Sequence, residues 1–200
     1  MSAPRLTFAI LSPLLLLLSS LPAQAIDLET LATALAERGA GSTAYRQTRH
    51  LGVLDEPLHS SGRLIFEPPD RLIQEQREPE PQRLMLAGER LVVEADGRRR
   101  EIDLADSPRG AALAASLRGV LNGRFDALEE DYELDLDERH DGGWRLTLLP
   151  RDRGLAKRIR RIEIIGSLDG DHAAAERLTM EFANGDRSVM HMQPAARDTP

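Results

Sequence analysis

The chain has 200 residues, 26 Lys+Arg against 33 Asp+Glu for a formal net charge of -7, no cysteine, and 41% hydrophobic but only 4% aromatic residues. That length suits one domain or two small ones, and the missing cysteine excludes disulfides, thiolate metal sites, a cysteine nucleophile and a lipid-modified N-terminal cysteine. The acidic balance argues against a general nucleic-acid binder, and the scarce aromatics disfavour recognition by stacked rings.

Residues 1–25 read as an export signal. Arg5 supplies a positive start, Leu6 to Leu18 is apolar apart from Thr7, Ser12 and Pro13, and Ala23-Gln24-Ala25 is the small-x-small pattern of a signal-peptidase site. A spanning helix needs about 20 apolar residues, more than this run holds. Cleavage after Ala25 leaves a chain that begins at Ile26 and contains no second long apolar segment.

Asp27 is placed to cap a helix with Leu28, Leu31 and Leu35 on one face, and Gly39 stops it. The hydrophobic period then changes to two. Tyr45 to Leu51 and Leu58 to Phe66 alternate as strands, the second ending at Pro68-Pro69. Further strands are predicted at Arg71–Arg77, Gln82–Leu86, Arg90–Glu94 and Arg98–Leu104, with tight turns at Ala87-Gly88-Glu89 and Asp96-Gly97. Ser107-Pro108 then opens a helix on which Leu113, Leu117, Val120 and Leu121 share a stripe, and Asn122-Gly123 closes it. Phe125 to Glu130 adds a helical turn. Strands return at Tyr132–Asp137, Trp144–Leu149, Arg158–Ile165, Glu176–Ala183 and Arg187–Met192, separated by Asp141-Gly142-Gly143 and Asn184-Gly185-Asp186. Residues 26–194 therefore read as one mainly β domain with helices, and 195–200 as a loose tail.

Each strand offers a leucine-rich face and a charged face, as Leu134 and Leu136 do against Glu133, Asp135 and Asp137. About ten to eleven such strands form a large curved antiparallel sheet with an apolar inner side, and two helices are few to cover it. The uncovered apolar area is either a self-filled barrel core or a cavity for an apolar ligand.

Catalytic and metal-binding patterns are not found. His50, His59, His140, His172 and His191 are at no metal-binding helix spacing, and the acidic stretch from Asp135 to Gly142 fails as a calcium loop because His140 stands where glycine is needed. No G-x-S-x-G elbow, P-loop or dinucleotide fingerprint is present. Arg98-Arg99-Arg100 and the run from Lys157 to Arg161 read as solvated strand faces, or as a patch for an anionic headgroup or an acidic partner.

The order of motifs resembles the LolA-like family of periplasmic outer-membrane lipoprotein carriers, in a divergent branch. The likeness is carried by Tyr45-Arg46-Gln47, then by Ser61-Gly62-Arg63-Leu64 running into Pro68-Pro69, and by the hairpin from Leu86 to Leu91. It continues in the helix ending Asn122-Gly123-Arg124-Phe125, in Trp144 to Pro150, and in the closing hairpin from Leu178 to Asp186. What the resemblance implies is a half-open antiparallel β-barrel covered by an N-terminal helix and a mid-chain helical lid. Such a barrel would shield acyl chains in the periplasm without enzymatic activity or a cofactor. It also implies an acylated lipoprotein or other lipid as cargo, an inner-membrane donor or exporter, an outer-membrane acceptor, and a monomeric carrier. The apolar cavity and lid would be formed by Leu64, Phe66, Leu86, Leu91, Leu117 and Leu121. Leu134, Trp144, Leu146, Ile164, Met180 and Phe182 would join them in lining the core or cavity. Pro68 stands where the best-known branch has an arginine that latches the lid, so a different latch is expected here. Two other readings compete: a periplasmic sensor or scaffold domain whose sheet binds a partner protein, and a small hydrolase.

Overall fold

The computed structural model describes residues 26–106, 118–170 and 172–193. The expected export signal, the tail at 195–200, and Leu113 and Leu117 of the mid-chain helix lie outside the described residues.

Helix α1 (Leu28–Glu37) starts where Asp27 accepts the Thr30 backbone N–H at 2.8 Å, a bond that holds the Asp27 carboxyl below the usual carboxylate range. Six strands follow as hairpins: β1 (Gly41–His50), β2 (Leu58–Glu67), β3 (Arg71–Glu78), β4 (Gln82–Ala87), β5 (Arg90–Ala95) and β6 (Arg98–Asp103). The β5–β6 turn places Asp96 and Gly97 at φ of 53° and 69°, the left-handed pair that a two-residue hairpin of this type demands. A 3-10 turn (Leu104–Asp106), the helical residues 118–121 and α2 (Phe125–Leu128) come next. The chain then adds β7 (Tyr132–Glu138), β8 (Gly143–Pro150), α3 (Arg153–Ala156), β9 (Ile159–Asp169), β10 (His172–Phe182) and β11 (Arg187–Gln193).

The eleven described strands form one sheet in the order β6-β5-β4-β3-β2-β1-β11-β10-β9-β8-β7, every neighbouring pair antiparallel. Joining first to last, β1 pairs with β11 from Ala44↔Gln193 to His50↔Arg187. The free edges are β6 and β7, so the sheet is open: a half-open barrel with helical cover, as the resemblance implied.

One side of this barrel is solid. α1 and α2 press onto the inner face of β7 to β10, where Leu31, Leu35, Tyr132, Trp144, Leu146 and Leu148 are all fully buried, and the Trp144 indole donates to the Ser167 carbonyl at 3.0 Å. Gly123, at φ 64°, lets the chain pass against α1; a Cβ there would lie 1.9 Å from the Ala32 carbonyl oxygen. Beyond the core, the outer face departs from the expected polar surface. Ile65, Ile73, Met85 and Val92 are directly paired across β2 to β5, and Ile73 and Val92 are buried. Beside that row on the same face lie the ion pairs Arg83–Glu75 at 3.6 Å and Arg99–Glu94 at 2.6 Å.

Candidate functional site

On the other side of the barrel the inner face meets open space. A cavity of about 350 Å³ is walled by Leu64, Leu72, Gln74, Leu84, Leu86 and Leu91 from β2 to β5. Ile164, Ala175, Leu178, Met190 and Met192 from β9 to β11 face them, and Leu104, Val120 and Leu121 close the top. Alternation produces this wall directly: Leu64, Gln74 and Leu84 are register partners on one row, and Phe66, Leu72, Leu86 and Leu91 on the next.

Gln74 is the one polar side chain among the described lining residues, and it is already engaged. Its amide donates to the Tyr45 hydroxyl at 3.0 Å. Tyr45 is 2% exposed, and burial raises its phenol above the usual tyrosine range while the Gln74 bond pulls the other way. Deeper on the same face the Gln47 amide donates to the Ser188 hydroxyl at 2.8 Å. With these groups satisfied by one another, the wall presents hydrocarbon, which favours an apolar ligand over water. A second hollow of about 500 Å³ adjoins it, sharing Leu64, Leu72, Leu121, Ala175 and Met192, and adds polar groups from Arg38, Asp169 and His172 at its rim.

Two side chains tie the helical residues over this space. Arg118 donates to the Gly88 carbonyl in the β4–β5 turn at 2.6 Å, and the Asn122 amide donates to the Pro69 carbonyl in the β2–β3 turn at 2.7 Å. The turn that holds Pro68 therefore takes part through its backbone.

Comparison with known proteins bears on such a barrel. The model of the LolA-like outer membrane lipoprotein carrier protein family matches residues 20–198. The chain belongs to this family. No curated protein matches it. Among solved structures it is similar to a LolA superfamily protein of Nitrosomonas europaea, at 14% identity over 88% of this chain and 96% of the other, with a TM-score of 0.44. It is also similar to the lipoprotein LppX of Mycobacterium tuberculosis, at 11% identity over 88% of this chain and 99% of that one, with a TM-score of 0.40. A third is LprF of Mycobacterium bovis, at 12% identity, 86% and 95% coverage and a TM-score of 0.37.

Within this family member the expected cavity residues divide by location. Leu64, Leu86, Leu91, Leu121 and Ile164 line the cavity, and Phe66 lines the adjoining hollow. Trp144 and Leu146 are in the solid core, with Leu134 and Phe182 packed against it. Met180 shares the inner face with its partners Ile162 and Ser188, away from the cavity wall, and Leu117 lies outside the described residues. The strand pattern alone missed Leu72, Gln74, Leu84, Leu104, Val120, Ala175, Leu178, Met190 and Met192. Their signal is the register: Leu72 is across from Phe66 and Leu86, Gln74 from Leu64 and Leu178 from Ile164, Leu84 is two residues along from Leu86, and Met190 follows across from Leu178. Among the described residues no group of three or more His, Asp and Glu side chains is placed to hold a metal ion, and no helix is long and apolar enough to cross a membrane.

Proposed function

We propose that this chain is a periplasmic carrier that holds an acyl chain in the leucine-lined cavity and conveys it, without catalysis, toward the outer membrane. Residues 1–25 would serve as its export signal and 26–194 as a single, monomeric lipid-binding domain ending in a short tail. The observation that carries this reading is the cavity itself: about 350 Å³ walled by apolar side chains, with the one polar group among its described lining residues bonded to a buried tyrosine. Ligand pockets span roughly 300 to 1,000 Å³, so this one suits a single chain better than a cluster of chains. Each methylene moved from water into it contributes about 0.8 kcal/mol, enough for a long chain to bind tightly without specific polar contacts. Without a nucleotide motif, release follows transfer to an acceptor, and the donor is an inner-membrane complex or exporter.

The test is a titration of the purified exported protein with a fluorescent fatty acid. Saturable binding of one probe per chain is expected, with at least about tenfold weakening by Leu121→Asp, since a buried charge at the wall is costly. Failure of the wild-type protein to bind the probe would overturn the reading. A stable protein partner recovered with no lipid would favour the scaffold alternative.

A further inference from the structure

The triple arginine run on the free edge strand β6 is not one patch. Alternation sends Arg99 to the outer face, where it pairs with Glu94 at 2.6 Å, and leaves Arg98 and Arg100 on the inner face. Register fixes what lies beside them. Arg100 is across from Val93, which is across from the cavity residue Leu84, so Arg100 stands two strands, roughly 10 Å, from the cavity wall on the same row. Along β6 itself the inner face changes from apolar to cationic. Leu104, just past its end, lines the cavity; Ile102 is next, 37% exposed to solvent; Arg100 and Arg98 follow, both exposed.

Among the described residues no acid stands at an inner strand position here, although Asp96 of the β5–β6 turn borders a shallow hollow together with Arg98. The inner positions of β3, β4 and β5 carry apolar residues and Gln74, Gln76 and Gln82, whereas Glu75, Glu94, Glu101 and Asp103 all fall on the outer face. Among the described residues neither Arg98 nor Arg100 has an ion-pair partner, although Arg71, Arg83, Arg90 and Arg99 in the same half of the sheet each have one. Two unpaired guanidinium groups at the water end of an apolar track match a carboxylate or phosphate joined to a hydrocarbon chain.

We infer that Arg98 and Arg100 form a headgroup site for an anionic single-chain amphiphile, its acyl chain in the leucine-lined cavity and its carboxylate or phosphate over the inner edge of β6. This rests on the acyl-carrier reading above and specifies the class of cargo. Neutral lipids of the same chain length fill the cavity but leave the two cations unused.

The experiment compares three probes of equal chain length on the full protein at low salt: laurate, lauroyl lysophosphatidate and the neutral glycerol monoester monolaurin. Both anions are expected to bind about tenfold or more tighter than monolaurin, and that gap should narrow as salt screens the contact. Arg98→Gln with Arg100→Gln should bring the anions to the level of monolaurin while monolaurin binding, which reports an intact cavity, is unchanged. Arg99→Gln should preserve the preference. A stronger effect of the double variant on one anion distinguishes carboxylate from phosphate as the preferred group. Equal binding of all three probes by the wild-type protein overturns the headgroup site and leaves the carrier reading standing. So does a preference that survives the double variant, or one that Arg38→Gln at the neighbouring hollow removes in its place. Failure of all three probes to bind overturns the carrier reading and the headgroup site together.

Discussion

The two halves of the inner face start from the same material and end differently. Across β7 and β8 and the parts of β9 and β10 beneath the helices, alternating apolar residues lie under α1 and α2 and pack with Trp144 and Tyr132 into a buried core. From β2 to β5, equally regular leucines at 64, 72, 84, 86 and 91 face a cavity, over which the described residues Leu104, Val120 and Leu121 lie. Alternation therefore makes an apolar face, whereas the position of helices and of a few large rings decides whether that face becomes core or site. Apolar area left wet forgoes about 25 cal/mol per Å², a cost that a bound hydrocarbon removes.

Substitutions on either side should break or sharpen this contrast. The largest effect is expected from Trp144→Ala in the solid half, a loss of roughly 3–5 kcal/mol in urea unfolding. Gln74→Leu should cost about 1–3 kcal/mol, because it strips the buried Tyr45 hydroxyl of its donor. Tyr45→Phe on that background should recover part of the loss. The same phenol gives a pH signature. Its folded-state pKa is raised by burial, so its contribution is intact below about pH 10, the unfolded tyrosine value, and is lost as pH rises through the folded value. Alkaline unfolding should be correspondingly later in Tyr45→Phe. Arg118→Ala with Asn122→Ala should cost about 1 kcal/mol or less per bond removed and show itself mainly as faster release of a bound probe in stopped-flow displacement. Smallest in stability is Leu84→Ala, under about 1 kcal/mol, since the half-buried side chain already borders empty space. If Leu84→Ala costs as much as Trp144→Ala, the cavity half is core and the contrast fails.

Much of the fold was legible in the chain because its hairpins announce themselves. Asp96-Gly97, Asn184-Gly185 and Gly88 set the turns, and the predicted strands agree with the observed ones to within a few residues at most ends. β9 and β10 run further than predicted, meeting at Asp169↔His172, because the alanines from Ala173 to Ala175 carry no strong alternation signal. α3 went unseen: four residues capped by Asp152 are too short to show a helical period. The outer row of Ile65, Ile73, Met85 and Val92 was equally hidden, since apolar residues on both faces blur a period of two.

The site was legible only in part, for a related reason. Leu86 in the cavity and Leu146 in the core come from identical local patterns, and only the packing of α1 and α2 tells them apart. Gln74 read as an ordinary polar strand residue because its partner, Tyr45, is two strands away. Asn122 read as a helix stop, and its second task, bonding the Pro69 carbonyl, needs the β2–β3 turn brought beneath it. Long-range pairing is what local sequence omits, and here it decides both the cavity and its closure.

The most direct test of the central claim is native mass spectrometry of the protein taken from the exported fraction under conditions that keep lipids bound. The structure predicts one single-chain acyl species per protein molecule, lost in Leu121→Asp and kept in Leu134→Ala, which lies against the solid core. A wild-type protein that emerges free of lipid and stays free after incubation with laurate would contradict it.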